Sequence, residues 1–180
     1  MIQAVLLGDC REVINDIEDD SIDLIILDPP YMVTREKWDK EEVINVDFVK
    51  SLYRVLKSTG NLYIWCGIGE KSQSLIRWFP LFQGLFTFKD LITWKKRRGI
   101  GTKRGWLYVR EEIMWFVKDN KKFIWNKEWQ YNHNEKNEFK KGFSGYECLS
   151  KFKRFSNVWV DIPEILNNKQ IQKMALLIVA

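Results

Sequence analysis

An apolar segment that runs into an acid, two prolines and an aromatic ring is the clearest chemical statement in this 180-residue chain: Ser21-Ile-Asp-Leu-Ile-Ile-Leu-Asp-Pro-Pro-Tyr31. Leu24 to Leu27 form a short continuous apolar run containing two β-branched residues, which suits a strand buried on both faces of a parallel sheet. Asp28 then falls at the carboxyl end of that strand, the edge where open α/β sheets bind ligands. Pro29 and Pro30 fix two successive φ angles and remove two N–H donors, so the turn is stiff while its carbonyls still accept hydrogen bonds. Tyr31 adds a flat ring. A carboxylate, a carbonyl and an aromatic face held this close together match a planar ring carrying an exocyclic amine: the two oxygens take the amine hydrogens and the aromatic ring stacks. Without function, the same run is an ordinary strand and a Pro-Pro loop with Tyr31 packed on the surface.

A second stretch invites a partner. Lys95-Lys96-Arg97-Arg98-Gly99-Ile100-Gly101-Thr102-Lys103-Arg104-Gly105-Trp106 places six cations, three glycines and an aromatic ring in one segment. A solvated basic loop is the plain alternative. The glycines favour contact, because backbone without side chains approaches a surface closely and the cations then meet DNA phosphates. Lys95, Lys96, Arg97, Arg98, Lys103 and Arg104 are therefore the candidate DNA-binding residues.

Composition narrows the class. A hydrophobic content of 46% and an aromatic content of 14% exclude a disordered chain, and the length suits one domain with a sizeable core. A formal charge of +5 permits a polyanionic partner without demanding one. Cys10, Cys66 and Cys148 are widely separated and the chain has one histidine, His133, so neither a disulfide framework nor a metal site is expected. The start lacks a signal-peptide pattern and no apolar run approaches membrane-spanning length, so no membrane partner is expected and a cytoplasmic location follows by default.

The elements that must position these residues follow from periodicity. Ile2 to Leu7 read as a first strand closed by Gly8-Asp9-Cys10; Val13, Ile14 and Ile17 have helical spacing; the strand ending at Leu27 comes next. If these two strands are neighbours, Asp9 lies beside Asp28, although on its own it reads better as a plain turn or helix-capping residue. Met32 to Asn45 is a charged loop over the active edge, expected to move when substrate arrives. A helix is predicted from Asp47, with Phe48, Leu52, Val55 and Leu56 on one face, ended by Gly60. Asn61 to Cys66 is the next strand, Ser72 to Phe79 a helix stopped by Pro80, and Phe86–Trp94 and Glu111–Val117 two more strands.

Asp28-Pro29-Pro30-Tyr31 resembles the catalytic motif of the S-adenosylmethionine-dependent DNA amino-methyltransferases, the N6-adenine/N4-cytosine family, in which it binds the extruded base. The resemblance implies an α/β, Rossmann-like methyltransferase sheet with helices on both faces, S-adenosyl-L-methionine as cofactor and double-stranded DNA as partner. It makes Asp28, Pro29, Pro30 and Tyr31 catalytic, and Asp in the first position leans toward adenine N6. Gly8-Asp9-Cys10 is similar to the family's cofactor-adenosine segment, and Gln172-Lys173-Met174 to its Gln-Lys-Pro helix start, so Asp9, Cys10, Asp28 and Lys173 are candidate cofactor contacts. Ile92-Thr93-Trp94-Lys95-Lys96, Glu111-Glu112-Ile113-Met114-Trp115-Phe116 and Asn157-Val158-Trp159 also resemble the family; Arg110 stands where many relatives have His.

The implied organisation is a catalytic core over 1–125, a variable target-recognition-like insertion over 126–156, and a return segment toward the cofactor over 157–180. Within the insertion Trp129, Tyr131, Lys140, Lys141, Lys151, Lys153 and Arg154 are further candidates for DNA contact. In the permuted order of this family a Phe-x-Gly-x-Gly loop comes after the Gln-Lys-Pro helix, and nothing in the chain supplies it. The fold is accordingly expected to be incomplete at its C-terminus, lacking a central strand and leaving an apolar sheet edge bare. Two readings result: an adenine-specific methyltransferase of a restriction-modification or phage system, completed by a second polypeptide or dimer partner, or a truncated remnant or subunit that binds DNA without a cofactor of its own.

Overall fold

The strand that leads into Asp28 is the last but one of a mixed sheet. In a computed structural model of the chain, the described residues are 6–100, 104–126, 129–131, 152–160 and 176–179, with Trp38, Arg97, Arg98, Ile100 and residues 129–131, 152–154 and 176–179 as backbone only. The strands are β1 (Ile22–Leu27), β2 (Leu56–Cys66), β3 (Thr87–Ile100), β4 (Tyr108–Val117), β5 (Trp129–Tyr131), β6 (Phe152–Arg154), β7 (Val158–Trp159) and β8 (Leu176–Val179). The helices are α1 (Cys10–Val13), α2 (Val46–Val55) and α3 (Ser74–Gln83). Six strands form one sheet in the order β7-β3-β4-β2-β1-β8, with β1 and β2 parallel and β4 antiparallel to both β2 and β3. The chain divides into two compact units, Met1–Ile124 with Asn157–Ala180, and Trp125–Ser156. The second contains the antiparallel pair β5 and β6, in which Trp129 is in register with Arg154.

The helix α2 follows from its sequence. Asn45 caps it by accepting from the Phe48 N–H at 2.9 Å, and Phe48, Val49, Leu52 and Val55 make one buried stripe. The chain then leaves the helix at Leu56 and enters β2 without a loop. Gly60 does not end the helix as the sequence suggested; it lies within β2, where a Cβ would meet Leu56 Cδ1 at 2.6 Å and the Asp23 carbonyl at 3.0 Å. Its place in the chain is set by this close approach at a bulge, where β1 advances from Ile22 to Leu24 while β2 advances from Leu56 to Asn61.

Pro80 likewise fails to stop α3, which continues through it to Gln83. Proline removes one backbone bond, but continuing the helix buries Phe82 completely beside Trp78, and Phe82 stacks on Phe116 at 5.3 Å. The shared core of α2, α3 and the sheet comprises Ile25, Leu27, Leu62, Ile64, Met114 and Phe116 with these helix residues. Its alternating positions on β2 leave Tyr63 on the other side of the sheet, stacked on Trp115 at 5.9 Å.

The sheet differs from expectation at two further places. Both sides of β1 are taken, by β2 and by β8; of the segment read as a first strand, Ile2–Val5 lie outside the described residues, and Leu6 and Leu7 are exposed without strand pairing. The edge expected to be bare is instead covered: Leu176–Val179 pairs antiparallel with Leu24–Leu27. The expected helix start at Gln172-Lys173-Met174 lies outside the described residues, and the Leu-Leu-Ile-Val run after it is strand because an open row of β1 backbone groups meets a β-branched apolar run.

Candidate active site

Asp28 stands one residue past β1, exposed at the carboxyl edge of the parallel pair, with Pro29 buried behind it. Tyr31 turns back on the same corner, and its hydroxyl donates to Asp28 Oδ1 at 2.9 Å. Among the described residues Oδ2 has no donor, so one carboxylate oxygen is oriented and the other is open. The Tyr31 ring is half-buried and lies 6.1 Å from the Trp78 ring, tilted by 53°. Trp78 is itself buried on α3 and donates from Nε1 to Glu42 Oε1 at 2.8 Å.

The chain immediately after the tetrapeptide is clamped. Met32 has φ of 58°, a left-handed conformation that costs a side-chain-bearing residue roughly 1–2 kcal/mol. Asp39, at the end of a short 3-10 turn over Lys37–Asp39, compensates by accepting from the N–H groups of Met32 (2.7 Å), Val33 (2.8 Å) and Thr34. Burial works against the Asp39 carboxylate, yet the Thr34, Met32 and Val33 bonds outweigh it and hold the carboxyl below its ordinary range. The charged segment after Tyr31, expected to move with substrate, is thus anchored to its own buried acid.

The charges around Asp28 come from two strands, β3 and β4. Protein packed about the carboxyl raises its pKa by desolvation although the carboxylate reaches solvent; the Tyr31 bond opposes this, Glu111 adds to it and Lys96 counters it. Tyr31 is pushed upward, first by burial and then by the Asp28 charge. Register explains the company: Cys66, the last residue of β2, faces Glu112 on β4, which faces Thr93 on β3, so the three strands bring their polar ends to the edge that carries Asp28. Glu112 is buried, accepting from Thr93 Oγ1 at 2.7 Å and pairing with Arg110 Nε at 3.1 Å, while Glu111 pairs with Lys96. Burial pushes the Cys66 thiol up to about 12, which makes it an inert neighbour.

The structure therefore unites Asp28, Pro29, Pro30 and Tyr31 at one corner and brings Lys96 into their electrostatic reach. The other candidates are dispersed. Asp9 caps α1, accepting from the Arg11 backbone at 2.9 Å and from its Nε at 3.0 Å, and Arg11 also reaches Glu41 at 2.7 Å; the Arg11 bonds hold the Asp9 carboxyl low. Cys10 begins the same helix, its thiol raised mainly by burial. Lys173 and Lys103 lie outside the described residues, as do Cys148, Lys140, Lys141 and Lys151. Of the basic stretch, Lys95 to Ile100 are not loop but the end of β3, because Lys95 pairs with Arg110 and Ile100 with Tyr108 across the hairpin. Lys95 and Arg104 are exposed, and Arg97 and Arg98 are placed on β3 by their backbone. Trp129, Tyr131, Lys153 and Arg154 fall on β5 and β6.

Sequence reasoning gave no role to Asp39, Glu42, Glu111 or Glu112. For the last two a signal existed: alternation along a strand forces one of two adjacent acids toward the interior, so a Glu-Glu pair entering an apolar strand announces a buried carboxylate with a partner.

An exposed, oriented carboxylate on a proline-stiffened turn at the carboxyl edge of an α/β sheet places this chain among the open-sheet proteins whose polar groups gather at that edge. Comparison with known proteins takes this one step further. A family model described as DNA methylase matches residues 22–175, and the chain belongs to that family. It is 31% identical over 134 residues to the Type II methyltransferase M.HpaI of Haemophilus parainfluenzae, covering 70% of this chain and 42% of that protein. It is 28% identical over 134 residues to the DNA adenine methyltransferase YhdJ of Escherichia coli (strain K12), covering 69% of this chain and 44% of that one. The chain thus spans less than half the length of these relatives. Its fold is similar to that in the crystal structure of the M1.HpyAVI–SAM complex, with a TM-score of 0.52 at 23% identity over 71% of this chain and 59% of that one.

Proposed function

We propose that this chain carries the base-binding side of an S-adenosylmethionine-dependent DNA methyltransferase of the restriction-modification type, a cytoplasmic enzyme acting on the N6 amine of adenine in double-stranded DNA. The observation that carries the reading is the Asp28 carboxylate, exposed at the sheet edge with Oδ1 engaged by Tyr31 and Oδ2 open. Adenine is supported by the acid in first place of the tetrapeptide and by the likeness to a protein named as an adenine methyltransferase.

In this reading the target base leaves the stack and enters against Tyr31. Asp28 Oδ2 accepts one amine hydrogen and the Pro29 carbonyl the other, which fixes the direction of the nitrogen lone pair and enriches its electron density. When bound, the cofactor supplies an electrophilic methyl group on a sulfonium. Asp28 need not deprotonate the amine beforehand: a methyl group passing from sulfur to nitrogen would break the S–C bond, release a neutral thioether and leave the positive charge on the nitrogen, and the raised pKa of the Asp28 carboxyl fits it to take the proton afterward.

The described residues do not by themselves make a cradle for the cofactor. The Asp9 carboxylate is occupied by Arg11, which must release it before Asp9 meets a ligand hydroxyl, and Lys173 is outside the described residues. No step through the cofactor is assigned to Asp9 or Cys10.

The test is Asp28→Ala assayed for methyl transfer and for duplex affinity. Loss of transfer with affinity retained within a few-fold supports the assignment, and unchanged methylation overturns it. Calorimetry with S-adenosylmethionine on the unaltered chain separates the two forms of the reading: saturable binding means that the chain holds its own cofactor, and none at high concentration means that a second polypeptide supplies that half.

A further inference from the structure

The hairpin of β3 and β4 runs well past the edge that carries Asp28. Cys66 ends β2 and faces Glu112, and β4 begins four residues earlier at Tyr108; at about 3.3 Å per residue this is about 13 Å of strand beyond the edge. Arg104 to Leu107 continue it further, and all are exposed. At the tip Trp106 is 94% exposed and Leu107 65%, an unusual place for large apolar side chains on a water-facing turn. The hairpin is braced. A Cβ on Gly99 would meet Val109 Cγ1 at 2.7 Å, so only glycine lets its two strands pack this closely, and a Cβ on Gly69 would lie 3.1 Å from the Tyr108 ring, so the loop after β2 supports the hairpin where it leaves the sheet. Arg104 is exposed at the tip, and Lys95, opposite Arg110, is exposed nearer the sheet.

We propose that Trp106 is a wedge that enters the base stack of duplex DNA and occupies the gap left by the base held at Asp28. The proposal rests on the function proposed above and adds a residue and a step to it. A braced hairpin projecting from the amine-binding edge, cationic along its length and aromatic at its tip, places charge against phosphates and a flat ring at the depth of the stack. An inserted ring replaces part of the stacking that the extruded base loses, so extrusion costs less. Lys96, by contrast, is turned inward to Glu111 and is not part of this contact.

The experiment uses two fluorescent 20-base-pair duplexes of the same arbitrary sequence, one intact and one with a single central abasic site, and measures binding by anisotropy. Stacking of one aromatic ring is worth about tenfold in affinity or more, so the unaltered chain is expected to prefer the abasic duplex by about that factor. Trp106→Ala, which removes an exposed side chain and leaves the core intact, is expected to abolish the preference; Trp106→Phe is expected to retain it. Asp28→Ala is expected to keep the preference while losing methyl transfer, which separates the wedge from the amine site. Equal preference in Trp106→Ala and the unaltered chain overturns the wedge alone. Equal affinity of the unaltered chain for both duplexes overturns it as well, and no measurable affinity for either duplex overturns both the wedge and the DNA reading on which it rests.

Discussion

Replacing Asp39 by Asn changes almost nothing in shape and much in charge, so it isolates what the clamp contributes. The Met32 N–H reaches Oδ1 at 2.7 Å, and the Val33 and Thr34 N–H groups share Oδ2. Asn keeps one oxygen for Met32 but turns an NH2 group toward the other two donors. Hydrogen bonds to a charged acceptor contribute about 1.5–3 kcal/mol each, and Asp39 is only 2% exposed, so water replaces them poorly. Losing two of the three is expected to cost roughly 3 kcal/mol, about a hundredfold in the folding equilibrium, if the segment stays in place. Urea unfolding gives the global loss, and hydrogen exchange at Met32, Val33 and Thr34 shows whether it is local. The pH dependence carries a sign. The Asp39 carboxyl is held below its ordinary range, so its contribution is complete above about pH 4 and disappears as pH falls through the folded-state pKa. Wild-type and Asp39→Asn stabilities should therefore converge in acid. Unchanged exchange at the three amides, with a midpoint within about 0.5 kcal/mol of wild type, would refute the argument that Asp39 offsets the left-handed Met32.

Asp28→Asn keeps an oxygen for the Tyr31 hydroxyl and removes a charge whose pKa the fold raises, chiefly by desolvation. In the wild type that group binds more protons folded than unfolded, so stability falls as pH rises from about 4 to the folded-state pKa and is level above it; thermal unfolding across that window should show the Asp28→Asn variant gaining relative to wild type as pH rises. Trp78→Ala should cost about 3–5 kcal/mol in urea unfolding, because it empties a buried site and deprives Glu42 of its indole donor. The same variant removes the ring beside Tyr31, so methyl transfer should fall even under conditions where the protein remains folded.

Local pattern carried a large part of this protein. The continuous apolar run Leu24–Leu27 ending in Asp28-Pro29-Pro30-Tyr31 needed no neighbour to be read as a strand that delivers a carboxylate on a stiff turn, and the 48, 52, 55 spacing of α2 is visible at once. Where the reading failed, a competing contact lay far away in the chain or beyond the apparent stop. Gly60 looked like a helix stop and is a strand glycine pressed on Leu56 and Asp23; Pro80 looked like a helix stop and is carried along because Phe82 beyond it is buried; Lys95 to Ile100 looked like loop and are strand because Arg110 and Tyr108 lie opposite.

Residue type and order by themselves determined the class of sheet, the strand that delivers the acid, and the acid itself, since these depend on properties of consecutive residues. Tertiary structure alone decided that Tyr31 bonds to Asp28, that Lys96 turns to Glu111 rather than outward, that Asp39 secures the turn, and that β8 covers the edge of β1. Each of these depends on which groups end up a few ångströms apart, and strand register, which brings residues 28, 66, 96 and 111 to one edge, has no trace in the local order of side chains.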